Sequence, residues 1–155
     1  MNYQVLVLDL DGTLTNSQKK IPSKTREALI DIQKNGKKVV LASGRPTRGV
    51  LPLAEELQLA KYGSYVLSFN GARITDCRTG QIIYNRSLPS DALPDIYSTV
   101  LLFREEGLDI LTYTEEEIIS GIRPNSYTML ESRINHMPVR VSTSFVEDVP
   151  RQLCK

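Results

Sequence analysis

Cysteine is nearly absent from these 155 residues: Cys77 and Cys154 are the only two, and they form no CxxC pair. That excludes a disulfide framework and a cysteine-built zinc site, and it fits a reducing, cytoplasmic setting. Histidine is scarcer still, because His136 stands alone beside Met137 and Pro138, and one imidazole without partners makes no metal site. An excess of one charge is missing too: 19 basic residues against 18 acidic leave a formal +1, with no long run of Lys or Arg. Nucleic-acid and membrane-surface partners, which need a basic face, are therefore not expected. The apolar run 5–8 stops at once at Asp9 and Asp11, too short for a signal-peptide core or a membrane span. No repeat, low-complexity tract or Gly/Ser linker divides the chain.

What is present reads as alternating strands and helices. Residues 5–8 are apolar without alternation, the pattern of a strand covered on both faces of a parallel sheet. Ser23 is placed as the N-cap of a helix in which Thr25, Ala28, Leu29 and Ile32 share one face, until Asn35 and Gly36 end it. A second strand over 38–42 follows at the distance a right-handed βαβ crossover needs, so the two strands are expected to be parallel neighbours. Val50, Leu53, Ala54 and Leu57 predict another helix, which Pro52 starts or kinks, and 65–69 predicts a third strand. After Asn70 and Gly71 the texture changes. Segments 72–75 and 81–85 around Thr79-Gly80 predict a hairpin, 90–104 a helix, and 109–113 and 139–142 further strands. The expected fold is α/β: a Rossmann-like parallel core over 1–70 and an α+β unit over 71–155.

The most informative stretch is Asp9-Leu10-Asp11-Gly12-Thr13-Leu14-Thr15, directly after the first strand. In open parallel sheets, ligands bind outside the carboxyl ends of the strands. Two carboxylates two residues apart repel unless a cation, hydrogen bonds or a proton relieves them, and Mg2+ is the natural counter-ion where a phosphate is also to be held. A carboxylate at Asp9 suits attack on phosphorus, and one at Asp11 suits transfer of a proton to the leaving oxygen and from water. Ser43-Gly44-Arg45-Pro46 lies just past the second strand and suits a phosphate. It supplies a hydroxyl, a close-approaching backbone N–H with a helix N-terminus behind it, and a guanidinium. No GxGxxG follows the first strand, which sets aside a dinucleotide-binding domain.

In these two loops the chain resembles the haloacid dehalogenase superfamily, through DLDGTLT at 9–15 and LASGRP at 41–46. FNGARI at 69–74 with the hairpin after it is similar to the Cof-type sugar-phosphate phosphatases, whose α/β cap is inserted after the third strand. The resemblance implies Asp9 as nucleophile and Mg2+ ligand, and Asp11 as acid/base whose backbone carbonyl also touches the metal. It implies Ser43 as holder of the phosphoryl group, with Gly44, Arg45 and Asn70 binding phosphate or substrate. The substrate implied is a small phosphorylated metabolite, and the cap chooses its leaving group.

The family pattern also has a lysine in a third motif and an acidic GDxxND-like fourth. No lysine lies between Lys61 and Lys155, and no Gly-Asp dipeptide occurs at all. The expectation is therefore an N-terminal portion of a phosphatase, with the second half of the core absent and inactive alone. The alternatives are a phosphomutase or phosphotransferase, which differs in what accepts the phosphoryl group, and a non-catalytic receiver-like module that stays phosphorylated. Glu115-Glu116-Glu117 reads as a solvated loop, and Tyr97, Phe103 and Tyr113 as core of the second unit.

Overall fold

A computed structural model describes residues 3–149. Two compact units divide the chain, Met1–Asn85 and Arg86–Lys155. In the first, β1 (Val5–Asp9), β2 (Lys38–Ala42), β3 (Tyr65–Ser68), β4 (Arg73–Asp76) and β5 (Ile82–Asn85) form one sheet in that order. β1, β2 and β3 run parallel; β4 and β5 turn back antiparallel. Between them lie helices α1 (Ser23–Lys34), α2 (Thr47–Glu56) and the short α3 (Leu59–Tyr62).

The parallel pair arises as expected, with Val5 opposite Lys38 through to Asp9 opposite Ala42. The burial of β1 does not. Val5 and Val7 are 53% and 55% exposed. Two successive right-handed crossovers in one direction carry their helices to the same side of a sheet. Accordingly Leu29 of α1 and Val50 and Leu53 of α2 share one core with Val39 and Leu41 of β2, and Leu8 packs against it. Val5 and Val7 alternate onto the opposite face, at the edge of the sheet.

Three local readings shift. Ser23 is the first residue of α1 and not its cap; Pro22 precedes it, whose fixed φ suits a helix entry and whose missing N–H is needed for nothing there. Pro52 does not start α2, which begins five residues earlier and carries it inside. The 72–85 hairpin belongs to the first sheet, because β4 pairs with β3 over Tyr65–Asp76 to Ser68–Arg73. The boundary expected at residue 70 thus falls after Asn85 in this structure.

The second unit contains α4 (Leu93–Leu101), β6 (Leu111–Tyr113), β7 (Ile118–Ser120), α5 (Ser126–Asn135), β8 (Val139–Val141) and α6 (Phe145–Asp148). Its sheet order is β6-β7-β8, antiparallel then parallel. Leu93, Ile119, Phe145 and Val149 form its core, with Tyr97 stacked on Phe145 at 5.3 Å. Phe103, expected in that core, is 42% exposed beyond the end of α4. Tyr113 is half-buried and donates to Glu131, and burial raises its hydroxyl far above the ordinary tyrosine range. The Glu115–Glu117 stretch is the turn joining β6 to β7, where Thr114 Oγ1 accepts from the Glu116 and Glu117 amides. His136 ends α5 in a left-handed conformation, φ 53°. Cys77 is a half-buried thiol pushed up to about 11 by burial; Cys154 lies outside the described residues. No described helix is long and apolar enough to cross a membrane.

Asp109 organises the second unit. Its Oδ1 accepts from the Ile110 and Ile122 amides, and its Oδ2 accepts from the buried hydroxyls of Ser120 and Thr128. Replacing it with alanine leaves the Ile110 and Ile122 amides and the Ser120 hydroxyl without this acceptor, while Thr128 keeps Asn125 Oδ1, so Asp109→Ala is expected to cost about 2–4 kcal/mol in urea-unfolding stability.

Candidate phosphoryl-transfer site

The site is built where β1 and β2 end side by side. In β1 and the residues after it, alternation turns Leu10 inward, fully buried, and leaves Asp9 and Asp11 on either side of it exposed. Beyond Asp11 the chain folds back sharply: Leu10 O accepts from the Thr13 and Thr15 amides and from Thr15 Oγ1, and Asp9 O accepts from the Leu14 amide. Gly12 makes the reversal possible with φ 82°, a left-handed conformation that a side chain resists. Buried Leu14 pins the returning segment to the core.

Because Asp9 is level with Ala42, the next residue of the neighbouring loop, Ser43, emerges beside the acid pair. Ser43 is buried; its amide donates to Leu67 O, and its Oγ accepts from the Arg45 amide at 3.2 Å. The hydroxyl is not the cap of α2, since Pro46 holds that position and Thr47 opens the helix. Its proton remains to be donated.

A third loop closes on this one. The Phe69 amide donates to Arg45 O and the Asn70 amide to Ser43 O. To do so, Phe69 and Asn70 both adopt left-handed φ, 53° and 55°, a cost of order 1–3 kcal/mol each that packing must offset. The Arg73 guanidinium lies over the Phe69 ring at 5.1 Å. A Cβ at Gly44 would stand 2.8 Å from Asn70 Oδ1, so any side chain there requires the Asn70 side chain to shift. Asn70, expected as a site residue, thus lies in the loop that closes on Ser43 and Gly44.

Arg45 is already engaged. Its Nε donates to Asp11 Oδ2 at 2.9 Å and its Nη2 to Oδ1 at 2.6 Å, a two-pronged grip. Lys19 Nζ reaches the same Oδ1 at 2.7 Å. The Arg45 hydrogen bonds, with a smaller contribution from Lys19 and against partial burial, hold the Asp11 carboxyl at about 2. No hydrogen bond or ion pair engages the Asp9 carboxylate among the described residues. Sequence reasoning missed Lys19, which has no motif around it, and the buried Thr47–Ser68 hydroxyl pair, 2.7 Å apart, that ties the start of α2 to the end of β3.

The donor set bears on magnesium. Among the described residues no group of three or more His, Cys, Asp or Glu gathers. Mg2+ commonly takes one or two carboxylates and completes its octahedron with water and substrate phosphate, so a two-acid loop suits it. Asp9 offers a disengaged carboxylate; Asp11, with its side chain taken by two cations, has its main-chain carbonyl to give.

The acid pair and the buried hydroxyl lie at adjoining strand ends, on the carboxyl edge at which open α/β sheets generally receive ligands. The chain belongs to the haloacid dehalogenase-like hydrolases, whose family profile matches residues 6–151. A haloacid dehalogenase-like hydrolase from Bacteroides thetaiotaomicron superposes with a TM-score of 0.88 at 41% identity, over 98% of this chain and 56% of that one. A candidate phosphatase of Streptococcus pyogenes is 33% identical over 90% of this chain and 51% of its own length. A subclass IIB sugar phosphatase of the superfamily shares the fold, with a TM-score of 0.72 at 22% identity, over 97% and 56%. The chain spans about half the length of the curated relatives it matches.

Two outcomes test this geometry. Gly44→Ala is expected to displace Asn70, seen as a shift of its side-chain amide signals in NMR. Asp11 has a folded-state pKa below its unfolded value of 3.8, so its ion pairs stabilise above that pH and the contribution is lost as pH falls through about 2. Discounted for the exposure of the pair, Asp11→Asn should lower stability by no more than about 1 kcal/mol at pH 7. The difference from the parent should shrink through pH 2 and vanish below it.

Proposed function

We propose that this chain carries the nucleophile half of a magnesium-dependent phosphomonoesterase acting through an aspartyl-phosphate. The observation that supports it most is the β1–β2 register, which sets the acid pair level with the loop of Ser43. Asp9 Oδ attacks phosphorus; the new O–P bond forms as the bond to the leaving oxygen breaks, and Asp11 delivers the proton that oxygen needs. Water then attacks the aspartyl-phosphate, giving its proton back to Asp11 and regenerating the Asp9 carboxylate. Ser43 donates its hydroxyl to a phosphoryl oxygen, and Gly44, Arg45 and Asn70 line the same loops. Asp9 and the Asp11 carbonyl would hold Mg2+, whose charge would lessen the repulsion between an anionic nucleophile and an anionic substrate.

Small phosphorylated metabolites, sugar phosphates foremost, are the substrate class we assign. A cytoplasmic setting suits such substrates. The lysine and the second acid cluster of the family pattern are absent from these 155 residues, so the chain by itself is assigned no appreciable turnover. A proton-transferring Asp11 two positions from the nucleophile favours rapid hydrolysis over a persistent phosphoprotein.

The test is hydrolysis of p-nitrophenyl phosphate by a chain extended to the length of its relatives. Turnover should require Mg2+, be abolished by chelation, and fall by at least about a thousandfold in Asp9→Asn. The 155-residue chain should remain near the uncatalysed rate. Full activity without Asp9, or enzymatic turnover by the short chain, would overturn the assignment.

A further inference from the structure

We propose that Lys19 and Arg45 together form an anion cradle, which Asp11 fills in this structure and which a phosphoryl oxygen takes over when substrate enters. The inference rests on reading this site as one that receives a phosphoryl group, and it adds Lys19 to that site.

Two cationic nitrogens converge on one point. Arg45 Nη2 and Lys19 Nζ lie 2.6 and 2.7 Å from the same oxygen, Asp11 Oδ1. An ordinary surface pair would join two mobile side chains, and these are not both mobile. The Arg45 side chain is only 10% exposed, and it is held besides by the Gly49 carbonyl. Lys19 is half-exposed, but its backbone is fixed in a left-handed conformation at φ 60°. A tight loop built on Asn16 fixes it there. Asn16 Oδ1 accepts from the Gln18 and Lys20 amides, the Asn16 amide donates to Lys20 O, and the Lys19 amide donates to Asn16 O. The loop thus sets the point from which the Lys19 side chain reaches Asp11.

A phosphoryl oxygen matches the occupant of that point in charge and in acceptor character, and a phosphate dianion offers more charge than one carboxylate. While Asp11 is in the cradle, Arg45 and Lys19 are unavailable to a phosphate, and Asp11 is unavailable for proton transfer. A single exchange relieves both: the incoming anion takes the two cations, and the carboxylate is released toward the leaving oxygen. The ligand class is a tetrahedral oxyanion carrying two negative charges. A cradle that its internal carboxylate occupies nine-tenths of the time binds an external anion about tenfold more weakly than an empty one.

Inorganic phosphate, titrated by 31P NMR into the 155-residue chain without divalent metal, tests the exchange. Asp11→Asn should tighten phosphate binding by about tenfold. In that background Lys19→Met should return the affinity to the parent's or below it, Lys19→Arg should keep most of the gain, and the neighbouring Lys20→Met, an equal loss of charge, should change it by less than about twofold. An Asp11→Asn affinity equal to the parent's, or equal losses for Lys19→Met and Lys20→Met, would overturn the cradle. No turnover enters this measurement, so a failure to hydrolyse phosphate esters and a failure to exchange Asp11 for phosphate are separate results.

Discussion

The parallel pairing of β1 with β2 is the interaction on which the rest of the site depends. Backbone hydrogen bonds hold Asp9 level with Ala42, and that single register sets both the spacing of the two loop tips and the face on which each side chain emerges. Side chains alternate along a strand, so a slip of one residue would bury the positions of Asp9 and Asp11 and expose Leu10. The fully buried Leu10, with Leu14 behind it, opposes that slip by the cost of putting two large apolar side chains into water. The core residues of the loop thereby act as the register marks of the chemistry.

Charge at this site is arranged by competition. The acid pair needs a counter-charge in the absence of any ion, and the fold supplies it from two directions: Arg45 from the loop after β2 and Lys19 from the reversal after β1. One carboxylate of the pair is thus neutralised, and the other, Asp9, is left disengaged. An asymmetry between two chemically identical side chains thus arises from position alone.

Much of the first unit was legible in the residues. The 38–42 strand, the helical face of Ala28, Leu29 and Ile32, and the loops after both strands follow from periodicity and from glycine and proline placement. The second unit was less so. β7 is three residues long and follows three glutamates, too short to show a period, and α5 (Ser126–Asn135) has a weak apolar face and takes its start from the Asn125 capping box. The 72–85 hairpin was recognised as a hairpin, but its pairing with β3 was not, because a strand's own residues do not say which sheet it joins.

Taken alone, the chain's residues determined which groups could do chemistry: two carboxylates around a buried leucine, a serine and a glycine before a helix, and an arginine beside them. Those are local properties, set by side-chain type and by spacing of a few residues. Only the tertiary structure decided that Arg45 grips Asp11, that Lys19 joins it, and that β1 lies at an edge with one face bare. Each of those depends on contacts between segments distant in sequence or on the side to which a crossover turns, and neither is encoded in any one stretch of residues.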